Sequence, residues 1–394
     1  MSASVDDVVV RLGDDHAEIR DAVRRTCADF PGAYWRDLET RSEYPTAFVR
    51  ALTQAGYLAA LIPAEFGGAG LPLRAAAVIL EEIHSSGCNA GACHAQMYIM
   101  GTLLRHGSDA QKRRYLPKIA SGETRLQAFG VTEPTTGTDT TRLKTRAVRD
   151  GDHYVLHGQK VWTSRALHSD LMLVLARTTP LDAVAKKTQG LSVFLVDIHE
   201  NLGKGLEIRP LPAMINHNTT EVFFDNLRIP ASSLIGQEGK GFRYILDGMN
   251  AERILIASEC IGDGRFLLER AVAYANTREV FGRPIGANQG VQFPLARAYA
   301  SLRAADLVRF DAAARYDRKE KCAAEANMAK LLASEASWQA ANAALDAHGG
   351  FGFAVEYDIE RKFRETRLYQ VAPINNNLVL AFLGQHVLGL PKSY

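Results

Sequence analysis

The hydrophobic pattern of this chain changes period twice, and that constrains the fold more than any single motif does. Over residues 15–120 apolar side chains recur at helical spacing: Ile19, Val23 and Cys27, then Phe48 and Leu52. Phe66-Gly67-Gly68-Ala69-Gly70 reads as a loop, and residues 73–84 return to an alanine-rich helix. Residues 109–119 suggest a further short helix, with Ser108 as N-cap and Ser121-Gly122 closing it. From about residue 127 to 235 the pattern shortens to strands. Segments 146–149 and 153–156 flank Asp150-Gly151-Asp152, a hairpin signal. Segments 171–176, 191–196 and 221–224 are further strand-like runs, while 178–190, holding Pro180, Lys186 and Lys187, reads as a surface loop. Beyond Gly241 long helical segments return, at about 241–276, 291–317, 322–347 and 372–388. Helix, sheet, helix is an α+β order in which a β module is inserted between two helical blocks. The expected domains are 1–125, 126–238 and 239–394.

Composition narrows the function classes. A chain of 394 residues with 47% hydrophobic and 23% charged residues can bury a large core. A net charge of +2 gives no reason to expect nucleic acid or an anionic membrane as partner. No apolar run approaches the length of a membrane span. The opening MSASVDDVVV carries acidic residues where a targeting peptide would be basic. Five cysteines, an odd number, point to a reducing compartment without a disulfide framework, so a cytoplasmic enzyme is expected. Cys88, Cys93 and His94 stand close together, but their spacing fits no zinc pattern, and no metal is expected. The chain has no dinucleotide glycine fingerprint and no phosphate-binding loop, and Gly349-Gly350-Phe351-Gly352 follows a helix instead of a strand.

Two stretches carry candidate chemistry. Residues 126–146, LQAFGVTEPTTGTDTTRLKTR, open as an apolar run and break into a turn crowded with threonines around Gly137. Strand-then-turn is a common cofactor seat, because the strand holds a loop whose hydroxyls and N–H groups face a polar ligand. A second strand signal, residues 153–162, ends in Trp162-Thr163-Ser164, a flat aromatic beside two hydroxyls. These residues alone suit a flat heteroaromatic ligand and an ordinary polar loop equally. Separately, Glu252 has Gly248 and Met249 on one side and Leu255 and Ile256 on the other at helical spacing. A carboxylate in an apolar stripe is costly unless it is paired, hydrated or used.

Thr132-Glu133-Pro134-x-x-Gly137-Thr138-Asp139 followed by Gly158-x-Lys160-x-Trp162 resembles the flavin-binding signature of the acyl-CoA dehydrogenases, and further matches run to the C-terminus. The resemblance implies an N-terminal helical domain, a central β domain and a C-terminal four-helix-bundle-like domain. It implies FAD bound by Phe129, Val131, Thr132, Gly137, Thr138, Trp162, Thr163 and Ser164. Arg278, of an Arg-x-x-Phe-Gly segment with Phe281, would reach FAD in a neighbouring subunit, and Gln289, Gly349 and Gly350 match further FAD-contacting segments. Asp346 stands where the family usually has glutamine, and residues 214–221, MINHNTTE, are given no role. In this family a carboxylate removes the α-proton of an acyl thioester while the β-hydrogen passes as hydride to the flavin. Most members carry it in a Tyr-Glu-Gly segment near the C-terminus, but the isovaleryl and long-chain types carry it before an arginine on the helix that holds Glu252. Here Pro373 falls at the first position and Glu252 at the second, so Glu252 is the implied base, with Thr138, Asn250 and Arg253 beside the acyl-CoA. The usual glutamate position also gives a backbone N–H to the thioester oxygen, which proline lacks. Unless the register is shifted by a residue or two, Ile374 or a water must serve, or dehydrogenation is weak. The activity implied is FAD-dependent α,β-dehydrogenation of an acyl-CoA, in a homotetramer passing electrons to an electron-transfer flavoprotein. A flavin oxidase or monooxygenase on the same fold, or a non-catalytic partner subunit, are the alternatives.

Overall fold

The computed structural model describes residues 16–392, so the acidic segment 1–10 read above lies outside the described residues. The helices are α1 (Ala17–Ala28), α2 (Gly32–Arg41), α3 (Thr46–Gln54), α4 (Leu73–Ser85), α5 (Gly91–His106), α6 (Asp109–Ser121), α7 (Ile198–Asn201), α8 (Gly241–Thr277), α9 (Gln289–Asp317), α10 (Ala323–His348), α11 (Ile359–Leu368) and α12 (Asn376–Phe382). The strands are β1 (Leu126–Gly130), β2 (Arg146–Asp150), β3 (His153–Ser164), β4 (Leu171–Arg177), β5 (Leu191–Asp197), β6 (Leu206–Pro210), β7 (Thr219–Pro230), β8 (Leu234–Ile235), β9 (Glu279–Val280) and β10 (Arg283–Pro284). None of the described helices is long and apolar enough to cross a membrane.

Contacts divide the chain into two compact bodies that do not follow chain order. Of the described residues, one comprises 16–37, 72–90 and 250–392; the other comprises 38–71 and 91–249.

The second body is built on an eight-stranded sheet ordered β6-β7-β3-β2-β4-β5-β8, with β1 beside β4. The pairing is antiparallel except that β1 and the end of β2 run parallel to β4. β4 is buried on both faces, which is why it reads as an unbroken apolar run. Leu171, Leu173 and Leu175 face a core shared with Ile99 and Leu103 of α5 and Leu116 and Ile119 of α6. Met172, Val174 and Ala176 face a second core with Tyr154, Phe194 and Phe224. The β2–β3 hairpin turns at Gly151-Asp152, with Gly151 at φ 60°, as the sequence predicts. α6 also begins as predicted. Ser108 Oγ accepts the Gln111 N–H at 3.1 Å and Gln111 Oε1 accepts the Ser108 N–H at 2.9 Å, a reciprocal cap.

The first body is helical. Its core packs α1 and α9 against α4, and α10 against α9 and α11. Buried Glu81 of α4 is its electrostatic centre: Arg20 of α1 donates to it at 2.9 and 3.2 Å, Arg309 of α9 at 2.9 Å, and Arg265 of α8 also reaches it. The expected last helix differs. Residues 370–375 form a turn, with the Ala372-Pro373 peptide cis, and α12 starts only at Asn376, whose preceding Asn375 caps it through Leu378 N–H at 3.0 Å. Asparagine before an apolar run is a better helix start than alanine-proline.

Candidate functional site

In the second body the two motif segments lie side by side. The Val161 N–H donates to Thr132 O at 2.9 Å, and Lys160 Nζ donates to Val131 O at 3.1 Å. Lys160 is fully buried and pairs with Glu133 at 2.8 Å. Glu133 Oε2 and Oε1 in turn accept the N–H groups of Lys144 at 2.6 Å and Thr145 at 2.9 Å. One carboxylate therefore closes the threonine-rich loop at its far end. Burial works against the Glu133 charge, but Lys160 and these donors hold its carboxyl below the usual range. Burial pushes the Lys160 ammonium down to about 8, with Glu133 opposing, so both remain charged at neutral pH. Glu133 and Lys160 stood in the motif without a role. Their signal in the sequence is a lysine in a strand and a glutamate in a polar turn, which does not reveal a buried pair.

The loop this pair holds is open outward. A Cβ placed on Gly137 would meet nothing within 4 Å, and Thr138 is exposed. Gly158, by contrast, sits at φ 148° where a Cβ would come within 2.6–2.9 Å of Thr145, so β3 can press on the loop end only through a glycine. Phe129 and Val131 are half-buried against the helical side of the core. At the end of β3 the pairing with β7 slips between Lys160 and Thr163, and Trp162 adopts φ 61°. A bulge of this kind re-aims a side chain, and the left-handed backbone costs about 1–3 kcal/mol for a non-glycine residue. The result is an indole that is 60% exposed, beside Thr163, whose buried Oγ1 has no hydrogen-bond partner, and half-buried Ser164. An open aromatic face, an orphaned buried hydroxyl and a glycine turn form a seat that a flavin ring and its polar tail fit.

The remaining predicted residues lie in the first body. Glu252 is 2% exposed, on α8 between buried Ala251, Ile254 and Leu255. Arg253 Nη1 donates to Asn250 Oδ1 at 3.2 Å, and Asn250 Nδ2 meets Cys322 Sγ at 3.8 Å. Burial pushes the Arg253 guanidinium down from its usual range, with the Glu252 charge opposing. Arg278 is exposed just past the end of α8, with its guanidinium 5.8 Å from the Phe351 ring centre. Phe281, at φ 53° on the β9–β10 turn, is fully exposed. Gln289 begins α9, and Gly349 and Gly350 are exposed after α10. Asp346 faces a groove between α9 and α10 that Arg297, Trp338 and Asn342 also line.

Glu252 and Arg278 are not brought together. The helix from Glu252 to Thr277 is about 38 Å long at about 1.5 Å per residue, so one subunit cannot offer both to one reacting centre.

Residues 214–221, left without a role, brace their own body: Asn216 Nδ2 donates to Leu38 O at 3.1 Å and to Glu43 O at 2.8 Å. Cys93 Sγ points to Tyr57 O, Cys88 Sγ to Phe30 O, and all five thiols are free and buried. Among the described residues His84, Asp263 and Glu365 bring ligand atoms within 4.8 Å of one another. Lys362 Nζ already lies 2.7 Å from Asp263 and 2.8 Å from Glu365, so the positive charge there is an ammonium.

Three family models match in order: acyl-CoA dehydrogenase N-terminal domain over residues 13–123, middle domain over 128–227 and C-terminal domain over 239–385. The acyl-CoA dehydrogenase FadE12 of Mycobacterium tuberculosis (strain H37Rv) is 33% identical over 386 residues, covering 97% of this chain and 98% of its own. Glutaryl-CoA dehydrogenase of Desulfococcus multivorans is 31% identical, with 95% and 96% covered. A solved glutaryl-coenzyme A dehydrogenase in complex with glutaryl-CoA superposes with a TM-score of 0.89 at 29% identity, covering 97% of each chain. The N-terminal helices, central sheet and C-terminal helices described above follow that architecture. The chain belongs to the acyl-CoA dehydrogenase family of oxidoreductases.

Proposed function

We propose that the chain catalyses FAD-dependent α,β-dehydrogenation of an acyl-CoA thioester, with Glu252 as the base. The observation that carries this reading is the burial of Glu252 in an apolar stretch of α8 while Pro373, which cannot accept a proton, stands at the other position used by the family. An α-proton is far too weakly acidic for a solvated surface carboxylate. A base shielded from water, with its proton-accepting oxygen kept near the α-carbon, meets that need. Glu252 would take the proton at a carboxylate oxygen, while Asn250 and Arg253, adjacent on α8, line the acyl-CoA. FAD, when held by Phe129, Val131, Thr132, Gly137, Thr138 and residues 162–164, supplies the acceptor for the β-hydride. With Pro373 lacking an N–H, the thioester oxygen needs Ile374 or a water as donor.

The length of α8 supports an oligomer. Arg278 serves an FAD only at a site other than that of its own Glu252, which calls for a neighbouring subunit, and the bare Phe281 ring beside it fits an interface. A homotetramer that delivers electrons to an electron-transfer flavoprotein agrees with this arrangement, and free buried thiols agree with a reducing cytoplasm.

The abnormal turn at Pro373 favours one second reading, a non-catalytic partner subunit. Anaerobic mixing of the purified protein with a panel of acyl-CoAs decides between them. The proposal expects a yellow protein with bound FAD whose colour bleaches with at least one acyl-CoA and returns slowly in air. A protein that holds no flavin, or a flavin that no member of the panel bleaches, sinks the dehydrogenase reading. Rapid recovery in air would make it an oxidase.

A further inference from the structure

β1 and β4 lie side by side and parallel, with Gly130 opposite Val174, so the segments that follow them leave the sheet at the same edge. The candidate flavin loop follows β1, and the mostly exposed loop 178–190 follows β4. Arg177, the last residue of β4, stands between the two. It is 8% exposed, and its guanidinium donates to both loops. On the flavin side Nη2 donates to Thr141 O at 2.6 Å and Nε to Leu143 O at 3.5 Å. On the other side Nη1 donates to Thr179 O at 3.4 Å and to Gln189 O at 3.2 Å. The Arg177 N–H adds a bond to Thr145 O at 2.8 Å. Segment 141–145 is thus held from two sides: Glu133 accepts the N–H groups of Lys144 and Thr145, and Arg177 donates to the carbonyls of Thr141, Leu143 and Thr145. The four guanidinium partners are neutral carbonyls, so the shape of the planar fork decides what it holds.

We infer that Arg177 is a positioning residue for FAD: it joins the outgoing limb of the flavin loop to loop 178–190, so that the order of this surface loop controls how firmly the cofactor is kept. The inference rests on the reading of residues 129–138 and 162–164 as the flavin seat. A strut that served only the end of β4 would leave the two loops independent. A strut that joins them makes a change within 178–190 felt at the flavin, and only while Arg177 is present.

The test uses the FAD-loaded protein and reads the flavin left on it after timed gel filtration. Arg177→Met strips donors from buried carbonyls and should release FAD about 10–100-fold faster than wild type. Gly190→Ala disturbs the surface loop from within: Gly190 has φ 74°, and an added Cβ would come within 2.9 Å of Thr179 O and 3.1 Å of Val184. It should speed release about 3–10-fold. The two substitutions together should release FAD no faster than Arg177→Met alone, within about twofold, because the loop has lost its connection to the flavin limb. Gly151→Ala puts similar left-handed strain, at φ 60°, into the β2–β3 turn and should release FAD at the wild-type rate. Where Arg177→Met does not fold, Arg177→Lys takes its place, since one ammonium cannot span both loops. Wild-type release by Gly190→Ala, multiplication of the two effects in the double variant, or equal acceleration by Gly151→Ala overturns the role of Arg177 and leaves the flavin seat intact. A wild-type protein that takes up no FAD overturns the seat, and this inference with it.

Discussion

Single residues do unequal amounts of explaining here. Glu133 fixes one end of the candidate flavin loop through Lys160 and two N–H groups, so Lys160→Met should leave a buried carboxylate without its cation. The expected cost is about 3–5 kcal/mol of stability, read by denaturant unfolding, together with weaker FAD retention. A loss below about 1 kcal/mol would mean that the loop is held by other contacts. Arg278 makes the opposite kind of prediction, because it is exposed, with its guanidinium 5.8 Å from the Phe351 ring centre. Arg278→Ala should leave the fold of its own subunit intact, yet lower FAD content and loosen the oligomer together. Charge-assisted bonds to phosphate are worth about 1.5–3 kcal/mol, enough to read in a flavin-release titration. Full flavin retention would show that the arginine does not reach a neighbour's cofactor. Neither Glu133 nor Lys330 could be read as buried from the sequence, because a charge in a polar turn or an alanine-rich helix normally marks a solvated face. Glu252 was legible because its neighbours at i±3 and i±4 are apolar or small.

Among the elements, α4 shows how charge can organise a helical core. Arg20, Arg265 and Arg309 come from α1, α8 and α9 to one carboxylate, Glu81. Burial opposes the Glu81 charge, but the three guanidinium groups hold its carboxyl far below the usual range; Glu365, between Lys362 and Arg361, is lowered in the same way. A carboxyl depressed in the folded state contributes stability that is fully present above its unfolded pKa of about 4.3 and is lost as pH falls toward the folded value. Thermal stability should therefore drop steeply below about pH 4, and Glu81→Gln, already short of the charge, should be less stable at neutral pH with a shallower acid limb. Parallel pH profiles for the two proteins would contradict the network. The elements themselves were legible where local rules agree: the Ser108 cap of α6, the Gly151 turn and the apolar run of β4 all follow from their own residues. They were not legible where a distant contact decides. The bulge that turns Trp162 outward depends on its slip against β7, and the late start of α12 depends on the turn that Asn376 closes.

For the whole molecule, the order helix, sheet, helix could be read from periodicity, but the partition into two bodies could not. Residues 38–71 join the body of the sheet, and 72–90 join the body of the C-terminal helices, an interleaving that no local pattern encodes. The two candidate functional clusters belong to different bodies, the candidate flavin loop to one and Glu252 to the other, so the role of Glu252 needs a chemical test. That test is the rate of anaerobic flavin reduction by Glu252→Gln, measured with the acyl-CoA that bleaches the wild type fastest. The substitution keeps size and hydrogen bonding but removes the proton acceptor, so FAD content, fold and acyl-CoA binding should persist. Reduction should slow by at least about 10²–10⁴, the usual contribution of a positioned base. Near-normal bleaching by this variant would contradict the account and place the base elsewhere.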